Sequence, residues 1–133
     1  MNDVADELRR LNEPVPEPLQ LPDEDQIIDV EEQLFIALDG DFREYMLTVS
    51  DVVYGSLEPV TVADPFSHTY LPEVAAIAWD QGLPRDLIPL CEKQGDYYCV
   101  AEGGEVLFWQ QGELSEESWP NVWQWAREVW LES

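Results

Sequence analysis

Apolar residues recur along the chain with two different periods, and the changes between them mark out its elements. In residues 1–11, Val4, Leu8 and Leu11 fall on one side of a short helix. Pro14, Pro16, Pro18 and Pro22 then interrupt regular structure, because each removes an amide donor and restricts the residue before it. Residues 12–22 therefore read as an extended linker packed across the domain, against the alternative of a free leader. Asp23 has the chemistry of an N-cap, with Gln26 completing a capping box and Glu24 and Asp25 suiting the helix dipole. Ile27, Ile28, Leu34, Phe35 and Leu38 continue as an apolar stripe over three turns, and Gly40 supplies a left-handed stop.

Beyond Gly40 the run Tyr45–Val49 predicts a strand. Pro59–Val62 reads as extended and Val52–Tyr54 as a short helical turn. Pro72–Trp79 predicts a second helix with proline in its first turn, closed by Gly82 and Pro84. Strands follow at Leu87–Cys91, Tyr97–Ala101 and Glu105–Trp109. Gly95-Asp96 and Gly103-Gly104 lie between them, so the three form an antiparallel meander. A turn at Gln94-Gly95-Asp96 would set Cys91 opposite Cys99. The last element is a helix over Trp119–Leu131, capped by Ser118, with Pro120 in its first turn. Trp119, Val122, Trp123, Ala126, Val129 and Trp130 share its apolar face as core packing, and Trp125 falls off it.

Composition narrows the function. The chain has 133 residues, 45% of them hydrophobic, enough for one packed domain. We divide it into a helix and proline-rich leader at 1–21 and a single domain at 22–133. Asp and Glu number 29 against 6 Lys and Arg, for a formal charge of −23. Residues 1–44 carry 14 acids and residues 45–133 carry 15, so the charge is spread over the domain rather than confined to one tail. Such a charge opposes binding to a nucleic-acid backbone or to an anionic membrane. The longest uncharged stretch, Ser118–Ala126, is far short of the roughly 20 apolar residues of a membrane span. The acidic start lacks a secretory pattern, which places the chain in the cytoplasm, where Cys91 and Cys99 are expected as buried thiols.

Catalytic motifs are missing. One histidine, His68, and two cysteines without CxxC spacing make neither a zinc site nor a nucleophile–base pair. With 29 acids, paired carboxylates arise by composition alone and identify no acid–base chemistry. We expect no enzymatic activity, no cofactor and no metal.

The order helix, strand, helix, meander, helix resembles the SMI1/KNR4 family of the SUKH superfamily over residues 22–131. Leu83-Pro84-Arg85-Asp86-Leu87-Ile88-Pro89-Leu90 is similar to that family's approach to its sheet. Gly95-Asp96-Tyr97-Tyr98-Cys99 and Glu105-Val106-Leu107-Phe108-Trp109 resemble two of its strands. Leu38-Asp39-Gly40 is similar to the end of its first helix, and Trp119–Leu131 to its closing helix. Lys93-Gln94 stand where the family often has a further glycine. Val100-Ala101 stand where an acid often ends the strand, and the proline-rich leader lies outside the pattern.

The resemblance implies an α+β fold with an antiparallel meander packed against helices. It further implies a bacterial immunity protein that neutralises a cognate toxin; fungal members resemble cell-wall scaffolds. A nucleic-acid-targeting toxin presents a basic cleft, and an acidic inhibitor would be steered to it. Asp39, Asp41 and Glu44 after the first long helix, with Asp96 at the hairpin turn, are the candidate contacts. A scaffold or adaptor, and a nucleic-acid mimic, are the competing readings. Both a monomer and a weak dimer are compatible with the sequence.

Overall fold

The computed structural model describes residues 3–16 and 19–133. Helix α1 spans Asp3–Leu11 and buries Val4 and Leu8 against α3 (Gly40–Val49). Arg9 forms an ion pair with Asp51. Past α1 the chain is fastened down. Glu13 N donates to Val53 O at 2.8 Å, and Asn12 Oδ1 accepts from Val53 N at 2.8 Å. Pro22 is buried, whereas Pro14 and Pro16 are exposed and Pro18 lies outside the described residues.

Helix α2 (Glu24–Leu34) begins with the expected capping box: Gln26 N donates to Asp23 Oδ1 at 2.8 Å and Asp23 N to Gln26 Oε1 at 3.0 Å. Its end differs from expectation. Phe35, not Gly40, takes the left-handed conformation, at φ 58°, and the amides of Phe35 and Ile36 return to the carbonyls of Glu32 and Glu31. This is a Schellman closure with phenylalanine in the usual glycine position. Phe35 leaves the apolar stripe and is 91% exposed.

The chain then starts helix α3 where a stop and a strand were expected. Asp39 is its N-cap, with Oδ2 accepting from the amides of Asp41 at 3.0 Å and Phe42 at 3.3 Å. Phe42, Tyr45, Met46 and Val49 are buried with helical spacing, which overrides the strand tendency of the Tyr45–Val49 run. Arg43 ties α3 to α2 through Glu31 at 2.7 Å and Glu24 at 2.6 Å. Its hydrogen bonds to the Glu24 and then the Glu31 carboxylate raise the guanidinium pKa above its usual value.

Helix α4 (Leu71–Asp80) has Pro72 in its first turn, as expected, and packs against the strand Ile88–Lys93. Among the described residues the sheet contains five antiparallel strands in sequence order: β1 (Glu58–Pro59), β2 (Ile88–Lys93), β3 (Asp96–Val100), β4 (Val106–Gln110) and β5 (Glu113–Trp119). The three expected strands are present; β1 and β5 extend the meander on both sides. Val52–Tyr54, expected as a helical turn, is not helical. β5 was hidden by its polarity, since ELSEESW is an edge strand facing water.

The β2–β3 turn is the two residues Gln94-Gly95, both at positive φ, so Lys93 faces Asp96. A bulge between Pro89 and Cys91 then sets Cys91 opposite Tyr98 and Cys99 opposite Pro89. The two cysteines therefore do not face each other, and both are free and buried.

The closing helix is shorter than expected. Ser118 and Trp119 belong to β5, and Asn121 caps α5 (Val122–Trp125) by accepting from Gln124 N at 2.8 Å. The helix then widens into a π turn over Ala126–Trp130, where Leu131 N donates to Ala126 O at 2.8 Å. At about 3.6 residues per turn, residues five apart point about 140° away from each other. The π turn reduces that angle, and Trp125 joins Trp130 in the core with ring centres 6.4 Å apart. Trp125 is fully buried, contrary to its place off the α-helical stripe. It packs on Tyr98, which stacks on Phe108 at 4.5 Å.

Candidate functional site

The expected contact residues occupy two separate places. Asp39, Asp41 and Glu44 share the start of α3. Asp39 spends its carboxylate on capping the helix and lies against the β3–β4 turn, where a Cβ on Gly104 (φ 93°) would stand 2.8 Å from Asp39 Oδ1. Asp41 is half-buried, and Glu44 is exposed beside Trp123 and Arg127. Asp96 sits at the opposite end of β3, where its carboxylate accepts from Gln111 N at 3.0 Å and joins two hairpin turns. The four acids thus do not form one cluster.

A deeper feature lies at the other edge of the sheet. Register places Glu58 opposite Glu92, Glu92 opposite Tyr97, Tyr97 opposite Trp109 and Trp109 opposite Leu114, one row across all five strands. Directly opposed residues share a sheet face, so two carboxylates and two aromatic rings stand in line there. Tyr97 and Trp109 have ring centres 6.0 Å apart. Between β1, α4 and the β2–β3 turn this face opens into a groove of about 560 Å³. Val60 and Tyr97 contribute from the sheet side, Val74 and Ile77 from α4, and Glu58 and Glu92 from the strands. Ile77 is 53% exposed.

His68 stands at the rim with Nε2 3.0 Å from Glu58 Oε2. Burial, and secondarily Glu92, raise the Tyr97 hydroxyl pKa. A smaller cavity of about 60 Å³ adjoins the groove, sharing Leu57, Glu58, His68 and Thr69 with it. Tyr45 lines this cavity, and its buried hydroxyl has no hydrogen-bond partner among the described residues.

Burial pushes both the Cys91 and Cys99 thiols up to about 12. They are protonated near neutral pH and poor nucleophiles. Among the described residues, no group of three or more His, Cys, Asp or Glu side chains is placed to hold a metal ion, and no helix is long and apolar enough to cross a membrane. The arrangement suits recognition of a cationic group by carboxylates beside the exposed apolar side chain of Ile77.

Glu58, Glu92 and Tyr97 were not singled out from sequence. Carboxylates were too abundant to stand out, and the pairing of β1 with β2 had no turn signal to reveal it. The β2–β3 hairpin alone could have aligned Glu92 with Tyr97.

The chain matches the SUKH_5 family, described as SMI1-KNR4 cell-wall, over residues 1–131, so the match includes α1 and the proline-rich segment. No curated protein matches it. It is similar to a protein from Pseudomonas syringae pv. tomato of known crystal structure, with 64% identity, complete coverage of both chains and a TM-score of 0.97. With its α+β fold and five-stranded antiparallel meander, the chain belongs to the SMI1-KNR4 (SUKH) family.

Proposed function

We propose that this protein is a non-enzymatic immunity protein that binds and neutralises a cognate basic toxin in the cytoplasm, without a cofactor. The observation that carries this reading is an uncompensated acidic surface on an SMI1-KNR4 domain. Among the described residues, ion pairs engage only Glu7, Glu24, Glu31, Asp51 and, with His68, Glu58. The remaining carboxylates generate a long-range field that accelerates capture of a basic surface. Affinity then comes from a few well-packed anchors. A toxin acting on nucleic acid has the cationic cleft such a field would find. The cell-wall term in the family description supports a scaffold as the competing reading.

The test is co-expression with a toxin encoded beside this gene, together with purification of the pair. The expected result is restored growth and a 1:1 complex that persists to high salt. Failure to protect, with several partners of modest affinity, would favour the scaffold. Loss of many basic proteins together at modest salt would indicate nonspecific polyanion binding.

A further inference from the structure

We infer that the groove between β1, α4 and the β2–β3 turn receives an arginine side chain of the partner protein. This inference rests on the proposed binding of a basic partner and assigns it a contact. Glu58 and Glu92 are set directly opposite each other on antiparallel strands, a placement that costs stability because opposed side chains start from Cβ atoms about 5 Å apart and like charges there repel. Both are exposed and both border the groove. A cation between them relieves the repulsion, so a carboxylate pair that is unfavourable in the free protein becomes favourable in the complex.

The remaining walls match the rest of an arginine. The exposed Ile77, over the buried Val60 and Val74, offers apolar surface for the aliphatic stem. Tyr97, next to Glu92 in the same row, is buried and forms the floor behind the carboxylates. The guanidinium carries five N–H donors in a plane, enough to serve carboxylates on two strands. His68 Nε2, 3.0 Å from Glu58 Oε2, already shows that a ring N–H can be accommodated on that carboxylate. Lys93 also borders the groove and stands opposite Asp96 in register. The net charge of −23 supplies the approach, and the groove supplies the specific contact.

The experiment titrates N-acetyl-arginine amide into the isotopically labelled protein and follows backbone amide shifts. N-acetyl-citrulline amide, which has the same shape without the charge, is the control. The expected result is saturable shifts centred on Thr69, Gly95 and Tyr97 with the arginine probe alone. Glu58→Gln combined with Glu92→Gln should weaken binding by about tenfold, since charge-assisted hydrogen bonds become neutral ones. This variant should also melt no lower than the parent, which separates lost binding from lost folding. Shifts scattered over all acidic surfaces, or equal shifts with citrulline, would overturn the assignment.

The same double variant is then tested for toxin neutralisation. Weakened neutralisation supports the groove contact. Undiminished neutralisation overturns the groove contact and leaves the immunity reading intact. A specific arginine response with no toxin protected would defeat the immunity reading and leave the groove as an arginine site.

Discussion

The indole Nε1 of Trp130 donates to the main-chain carbonyl of Tyr54 at 3.0 Å, and the Tyr54 hydroxyl donates to the carbonyl of Leu131 at 3.1 Å. Tyr54 thus accepts from Trp130, 76 positions away, and donates to the residue that follows it, Leu131. The pair fastens the π turn to the loop before β1, so it helps to hold Trp125 inside.

Removing each partner should have unequal effects. Tyr54→Phe loses one hydrogen bond near the surface and should cost about 1 kcal/mol. Trp130→Phe leaves the Tyr54 carbonyl unpaired and opens a gap beneath Tyr45, and should cost about 2–4 kcal/mol. Urea unfolding measures both. Equal losses would show that the indole contributes no more than the hydroxyl.

Asp39 and Gly104 should be energetically coupled. Gly104→Ala forces a Cβ toward the Asp39 carboxylate and onto a positive-φ backbone, and should cost about 2–3 kcal/mol. Asp39→Ala removes a cap and should cost about 1 kcal/mol. The double variant relieves the clash, so its loss should fall short of the sum by about 1 kcal/mol. Strict additivity in a double-mutant cycle would refute the contact.

Phe35→Gly should stabilise the free protein by about 1 kcal/mol, because glycine adopts the left-handed φ without a Cβ clash. Little packing is lost, since the ring is exposed. A lower melting temperature in this variant would show that the ring makes a stabilising contact.

The buried thiols set an alkaline limit. Their folded pKa values, about 12, exceed the ordinary value of 9.0. Below pH 9 the thiols are protonated in both the folded and unfolded states, and their contribution is fully present. Above pH 9 the unfolded chain ionises first and releases protons that the folded chain retains. Stability should therefore fall as pH rises from 9 toward 12, with Tyr45, also raised by burial, acting in the same direction. Urea midpoints across that range test the slope; a flat profile would contradict the burial of these groups.

Added salt should raise the melting temperature. Like charges repel across the surface, and the Debye length shortens to about 8 Å at physiological ionic strength. From about 10 mM to 300 mM sodium chloride the expected gain is about 3–6 °C, equivalent to about 1 kcal/mol. An unchanged melting temperature would mean that the acids are already compensated.

Local chemistry was legible wherever a signal lay within a few residues. The capping box at Asp23 and Gln26, the proline-led α4 and the glycine-marked hairpins could be read from the sequence because each depends on neighbouring backbone groups. The strand expected at Tyr45–Val49 became a helix because Asp39 caps it and its apolar residues meet the core at helical spacing. Asp39 and Asp96 were visible as acids, but not their structural duties, which depend on Gly104 and Gln111 from other turns.

By itself, the sequence determined the acidic character, the α+β class with its central meander, and the family resemblance, since composition and short-range spacing carry these. Tertiary structure decided three other features. It set the cysteine register, because a bulge at Pro89 shifts the ladder. It buried Trp125, because a π turn rotates it inward. It aligned Glu58, Glu92 and Tyr97, because strand pairing joins residues whose separation along the chain has no local signature.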